Sequence, residues 1–107
     1  MDTLSSIEEI NSFISDSKLA FLYISSDDCS VCNVLFPKIE KVLCKYPKIA
    51  CKNINIEKLP EVAGHLSIFT MPALILYIEG KEAIRKARFI SLDELDREIE
   101  RYYNLIY

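Results

Sequence analysis

Polar and apolar positions alternate in blocks that predict eight elements. Ser6-Ile7-Glu8-Glu9 is a capping box, with Ser6 placed to cap the third amide and Glu9 to reach back. Ile7, Ile10 and Ile14, with Phe13 beside them, make one apolar stripe and predict a helix to about Ser15. Asp16-Ser17-Lys18 breaks it. Residues 19–25 are apolar without alternation, the pattern of a strand covered on both faces. After the polar loop Ser25-Ser26-Asp27-Asp28, the positions Val31, Val34, Leu35, Ile39, Val42 and Leu43 return to helical spacing. That helix should run to about Lys45 and be kinked by Pro37, whose ring removes one backbone donor.

Ile49 to Ile56 reads as a second strand, and Pro60 fits the first turn of a short helix from Leu59 to about His65. Ile68-Phe69-Thr70-Met71-Pro72 leads into a third strand, Ala73 to Ile78, with Pro72 at a strand start, where it is tolerated. Glu79-Gly80-Lys81 is a hairpin turn, returning through a more polar edge strand from Ala83 to Ile90. A second capping box, Ser91-Leu92-Asp93-Glu94, opens a last helix whose face carries Leu92, Leu95, Ile99, Tyr102 or Tyr103, and Ile106. Strands joined through a helix should run parallel with a right-handed crossover, while the hairpin is antiparallel. The expected fold class is therefore α/β, a mixed sheet with helices on both faces.

Composition narrows the function. A chain of 107 residues is one domain that buries roughly 60–70% of its unfolded surface. Half of its residues are apolar and two are glycine, so loose linkers are not expected. A net charge of −3 with lysines scattered among acids excludes a nucleic-acid footprint. No apolar run approaches the ~20 residues of a membrane span. The amino terminus lacks the basic flank and apolar core of a secretory signal, so a cytoplasmic location is expected. Four cysteines in such a chain are expected as thiols rather than as a disulfide framework.

The chemistry concentrates at Cys29-Ser30-Val31-Cys32. A loop between a strand and a helix places Cys29 at the helix amino end, where free N–H groups and the dipole stabilise an anion. For cysteine that anion is the thiolate, the form that attacks disulfides. Two cysteines three apart on a first turn can reach each other, giving one reactive and one resolving sulfur. The same spacing also serves zinc half-sites, which Cys44 and Cys51 or a second chain would have to complete. Otherwise Cys44 and Cys51 are expected to be buried free thiols, and the single histidine, His65, to lie on the surface or at a helix end.

CxxC after a strand, Pro37 five residues beyond Cys32, and Met71-Pro72 opening the next-to-last strand together resemble the thioredoxin family. The likeness runs from about Ser6 to Tyr103, and Asn55-Ile56-Glu57 and Glu79-Gly80-Lys81 fall where similar segments occur. It implies a three-layer α/β/α sandwich with a mostly four-stranded mixed sheet, and thiol–disulfide exchange as the activity. Cys29 would attack a protein disulfide, and Cys32 would release the reduced substrate. A separate reductase or low-molecular-weight thiol would re-reduce the pair, with no other cofactor and no metal. Pro72, in cis, would keep its chain close to the sulfurs, and the Met71 backbone would pair with an extended substrate. A monomer is expected.

The sequence departs from the family pattern at several positions. Asp28 stands where tryptophan is usual and Asp27 precedes it, and two carboxylates should raise the thiol pKa. Ser30-Val31 is neither Gly-Pro nor a Pro-aromatic pair. Tyr23 occupies the place of a buried aspartate, and Arg88 that of a groove glycine, where it would narrow the substrate site or select acidic partners. The amino-terminal strand should be absent or reduced to Met1–Leu4. These departures leave two alternatives beside a small reductase: a non-enzymatic, redox-responsive binding module, and a CxxC metal-binding protein.

Overall fold

The central strand of the sheet has no polar face. In the computed structural model, which describes residues 1–107, the order is β1 (Asp2–Thr3), α1 (Ile7–Asp16), β2 (Leu19–Ser25), α2 (Ser30–Leu43), β3 (Ala50–Asn55), α3 (Val62–His65), β4 (Ala73–Ile78), β5 (Lys81–Ala87) and α4 (Leu92–Ile106). The five strands lie in the order β1-β3-β2-β4-β5. β1 and β2 are parallel to β3, β4 is antiparallel to β2, and β5 is antiparallel to β4. Residues 19–24 of β2 are all buried because alternate side chains enter two different cores. Ala20, Leu22 and Ile24 join Ile10, Ile54, Val62 and Ile75 on one face. Leu19, Phe21 and Tyr23 join Ile39, Leu43, Leu95 and Ile99 on the other. Helices therefore cover both faces, as a continuous apolar strand requires.

The sheet has five strands where mostly four were expected. The extra one is a two-residue pairing of Asp2 with Lys52 and Thr3 with Asn53. Asn53 fixes it from the neighbouring strand, donating from Nδ2 to the Met1 carbonyl at 3.1 Å and accepting at Oδ1 from the Thr3 hydroxyl at 2.7 Å. Two residues cannot show a periodicity, so this strand exists only through its partner.

Both expected capping serines cap. Ser6 accepts from the Glu9 amide at 3.1 Å and Ser91 from the Glu94 amide at 3.3 Å. Glu9 reaches back one residue further than expected, to the Ser5 amide at 2.9 Å. Glu79 and Gly80, at φ 49° and 83°, form a two-residue turn with both centres left-handed, which suits a hairpin's twist.

Some boundaries shift, each for a local reason. α2 stops at Leu43, two residues short, because the chain tightens so that Tyr46 donates its amide to the Leu43 carbonyl. α3 begins at Val62, after a turn in which Val62 and Ala63 bond back to Leu59 and Pro60. β5 ends at Ala87 instead of Ile90, since Arg88 takes a left-handed φ of 64° that takes the chain out of the ladder. His65 is exposed at the end of α3 and pairs with Asn11 at 2.7 Å.

Candidate active site

β2 delivers the chain to the sheet edge at Ser25, and α2 starts five residues later. Cys29 is the N-cap of α2, and its sulfur accepts the Cys32 amide at 3.1 Å, so one of the free donors of the first turn points at it. Cys29 and Cys32 are joined by a disulfide with Cα atoms 5.2 Å apart. Their exposure is unequal: Cys29 is half-buried, whereas Cys32 is 1% exposed.

Asp28, Cys29, Met71, Pro72 and Arg88 line one groove of about 350 Å³ together with Val31 and Phe89. The Met71–Pro72 peptide bond is cis, and Pro72 is buried at the groove floor. Its carbonyl accepts the Arg88 amide at 2.9 Å, tying the two loops together. The fold thus gathers five of the residues singled out in the sequence.

Two others point elsewhere. Asp27 was expected beside the sulfur with Asp28, but its carboxylate accepts from the Asn55 amide group at 2.8 Å, drawn toward the end of β3. Tyr23 lies behind the disulfide, and its hydroxyl donates to the Cys32 carbonyl at 2.8 Å. Burial pushes that phenol up to about 12. No carboxylate is buried anywhere in the chain. On this side of Cys32 lies a polar cleft of about 280 Å³, lined by Tyr23, Ser25, Asn53, Asn55 and Lys58 among others.

Phe89, 90% exposed on the groove rim, carries no sequence signal beyond that of a strand residue, and Val31 reads only as a position of the α2 stripe and half of the dipeptide between the cysteines. Phe89 lies in the segment expected to continue β5 to Ile90. The early end of that strand is what turns it outward.

Cys44 is exposed and Cys51 half-buried, which corrects the expectation of two buried thiols. Cys44 is the C-cap of α2, where one side of the residue faces solvent. Twelve residues of helix place it about 18 Å from Cys32. Cys44 therefore cannot complete a metal site with the CxxC pair, and no three His, Cys, Asp or Glu side chains converge as metal ligands. No helix is long and apolar enough to cross a membrane.

A dithiol closed into a ring at the head of a helix, with one sulfur reachable and one enclosed, defines a thiol–disulfide oxidoreductase. The family model for thioredoxin matches residues 4–101. Thioredoxin-like protein YdfQ of Bacillus subtilis is 40% identical over 105 residues, covering 98% of this chain and 94% of that protein. Among solved structures, a thioredoxin of Plasmodium falciparum superposes with a TM-score of 0.85 at 22% identity, covering 95% of this chain and 99% of that one. Thioredoxin 1 of Thermosipho africanus matches at 30% identity with a TM-score of 0.74, covering 81% of this chain and 97% of its own. This chain belongs to the thioredoxin family.

Proposed function

We propose that this chain reduces protein disulfides, with Cys29 as the attacking sulfur and Cys32 as the resolving one. The unequal exposure of the two sulfurs carries the reading: only Cys29 borders the groove where a substrate can lie. The Cys29 thiolate attacks a substrate disulfide, forming one S–S bond while the substrate bond breaks and releases a thiolate. Cys32, as thiolate, then attacks Cys29, the mixed disulfide breaks, and the second substrate sulfur leaves. Substrate gains two electrons and two protons, and the Cys29–Cys32 ring is left oxidised.

Pro72 has no N–H to compete for the approaching chain, and the Met71 backbone offers a strand-like edge to an extended substrate. Asp28 and Arg88 stand on the groove walls, where they act on the substrate and on the thiolate. Tyr23 positions the first turn of α2 through the Cys32 carbonyl, and Asp27 holds the loop before Cys29 to β3. The redox group is the cysteine pair itself, recharged by a separate reductase or a low-molecular-weight thiol. The site is complete within one chain, which supports a monomer. The two free thiols outside the site suit a reducing cytoplasm.

Reduction of insulin coupled to a dithiol tests this. Wild type should turn over, and Cys29→Ser should fall to the uncatalysed rate. Equal rates for the two would remove the reading. The exposed Phe89 and Val31 favour one other role, a redox-responsive binding module whose surface changes when the disulfide opens. Trapping with Cys32→Ser separates them: a reductase accumulates many disulfide-linked partners, a regulator one or two.

A further inference from the structure

Arg88 is unlike the other cations of its segment. Arg85 is held by Glu82 at 2.8 Å, and Lys86 by Glu94 and Glu98 at 2.9 and 2.8 Å. Arg88 belongs to none of the chain's ion pairs, is exposed, and sits with its guanidinium 5.6 Å from the Phe89 ring centroid. It does so at a φ of 64°, in the left-handed region that disfavours any residue with a Cβ. The hydrogen bond from its amide to the Pro72 carbonyl fixes the backbone there, beside Cys29. An unpaired guanidinium in strained backbone on the rim of a reactive groove is a feature that local folding energy does not favour.

Asp28 lines the same groove and makes no ion pair with Arg88. The groove thus has one cationic and one anionic wall about the sulfur. Guanidinium binds a carboxylate in two parallel hydrogen bonds, and the exposed Phe89 ring beside it offers an apolar contact.

We propose that Arg88 selects and orients substrates: disulfides whose cysteine is flanked by Asp or Glu on the Arg88 side, with no acid on the Asp28 side. This rests on the reductase reading of the site and specifies its substrate class. A carboxylate placed toward Arg88 is attracted, and one placed toward Asp28 is repelled, so the two orders of the same residues are not equivalent.

The test uses disulfide-linked peptides that differ only in Glu, Gln or Lys beside the cysteine, on its amino-terminal or carboxyl-terminal side. The measurement is kcat/KM at low and high salt. Wild type should reduce one Glu peptide about two- to fivefold faster than its Gln counterpart, with the advantage shrinking in salt, the range of an exposed ion pair. Arg88→Gly should bring the Glu/Gln ratio to unity, and Arg88→Glu should favour Lys over Gln. Because glycine tolerates the left-handed backbone, the urea midpoint of Arg88→Gly should equal or exceed that of wild type, which separates loss of preference from loss of fold. Equal rates for Glu, Gln and Lys peptides with wild type, or an unchanged ordering in Arg88→Gly, would overturn the proposal while leaving the reductase intact. If wild type reduces none of the peptides and does no better on insulin than Cys29→Ser, the underlying reading falls and this one with it.

Discussion

The hydroxyl of Tyr23 donates a 2.8 Å hydrogen bond to the backbone carbonyl of Cys32, joining the middle of the sheet to the first turn of the helix that carries both sulfurs. Tyr23 is 1% exposed and packs at 5.5 Å against Phe36, one turn along α2. The resolving cysteine is thus held by its main chain, and no acidic side chain is buried near it.

Tyr23→Phe keeps the ring and removes only that donor. It should cost about 0.5–1.5 kcal/mol, the net worth of one intramolecular hydrogen bond. Urea unfolding of the oxidised protein measures this. A variant as stable as wild type would mean that water replaces the hydroxyl.

The second prediction concerns high pH. Burial raises the phenols of Tyr23, Tyr46 and Tyr77, with Asp96 adding to the effect at Tyr46 and Glu82 at Tyr77. Above the ordinary value of 10.0 the unfolded chain loses these protons while the folded chain keeps them. The phenols' contribution to stability should therefore be constant as pH approaches about 10 and fall as it rises toward about 12. Tyr77→Phe should flatten that decline in denaturant titrations, and an unchanged slope would refute the assignment.

Asp96 provides the acidic counterpart. Its carboxylate accepts from Lys45 and from the Tyr46 hydroxyl, which holds it below its ordinary value of 3.8. A lowered carboxyl stabilises the fold above the unfolded pKa, and that contribution is lost as pH falls through the folded one. Asp96→Asn should cost about 1 kcal/mol at neutral pH. The gap from wild type should close in acid, as followed by thermal melts from neutral pH downward.

Alkylation distinguishes the four sulfurs. The oxidised protein should take up label at Cys44 quickly and at Cys51 slowly, and reduction should expose the remaining two. Burial pushes the Cys51 thiol up to about 11 from 9.0. Its thiolate is then about a hundredfold scarcer than that of an unperturbed cysteine at neutral pH. Mass spectrometry of timed samples reads the order. Equal rates at Cys44 and Cys51 would contradict the burial difference.

Elements long enough to repeat a period were legible. β2 showed itself by a run with no polar position, α1 and α4 by serine caps and an apolar stripe, and the hairpin by Gly80. Cys29 and Cys32 stood out because their spacing and their place after a strand are both local. β1 was not legible as a paired strand, since two residues carry no pattern and Asn53 supplies the pairing. Cys44 was misjudged because helical spacing says which face a residue is on but not where the helix ends.

Chain order fixed the α/β class, the parallel pairing of β2 with β3, the β4–β5 hairpin and the reactive pair, because these follow from periodicity, caps and near-neighbour spacing, whereas the antiparallel pairing of β2 with β4 was not legible in it. The meeting of residues 28–32, 71–72 and 88–89 in one groove was decided by the tertiary structure. So were the turning of Asp27 to Asn55 and of Tyr23 to the Cys32 backbone, and the outward rim of Arg88 and Phe89. These contacts depend on how strands register and where backbone dihedrals turn positive, and neither is written in any short window of sequence.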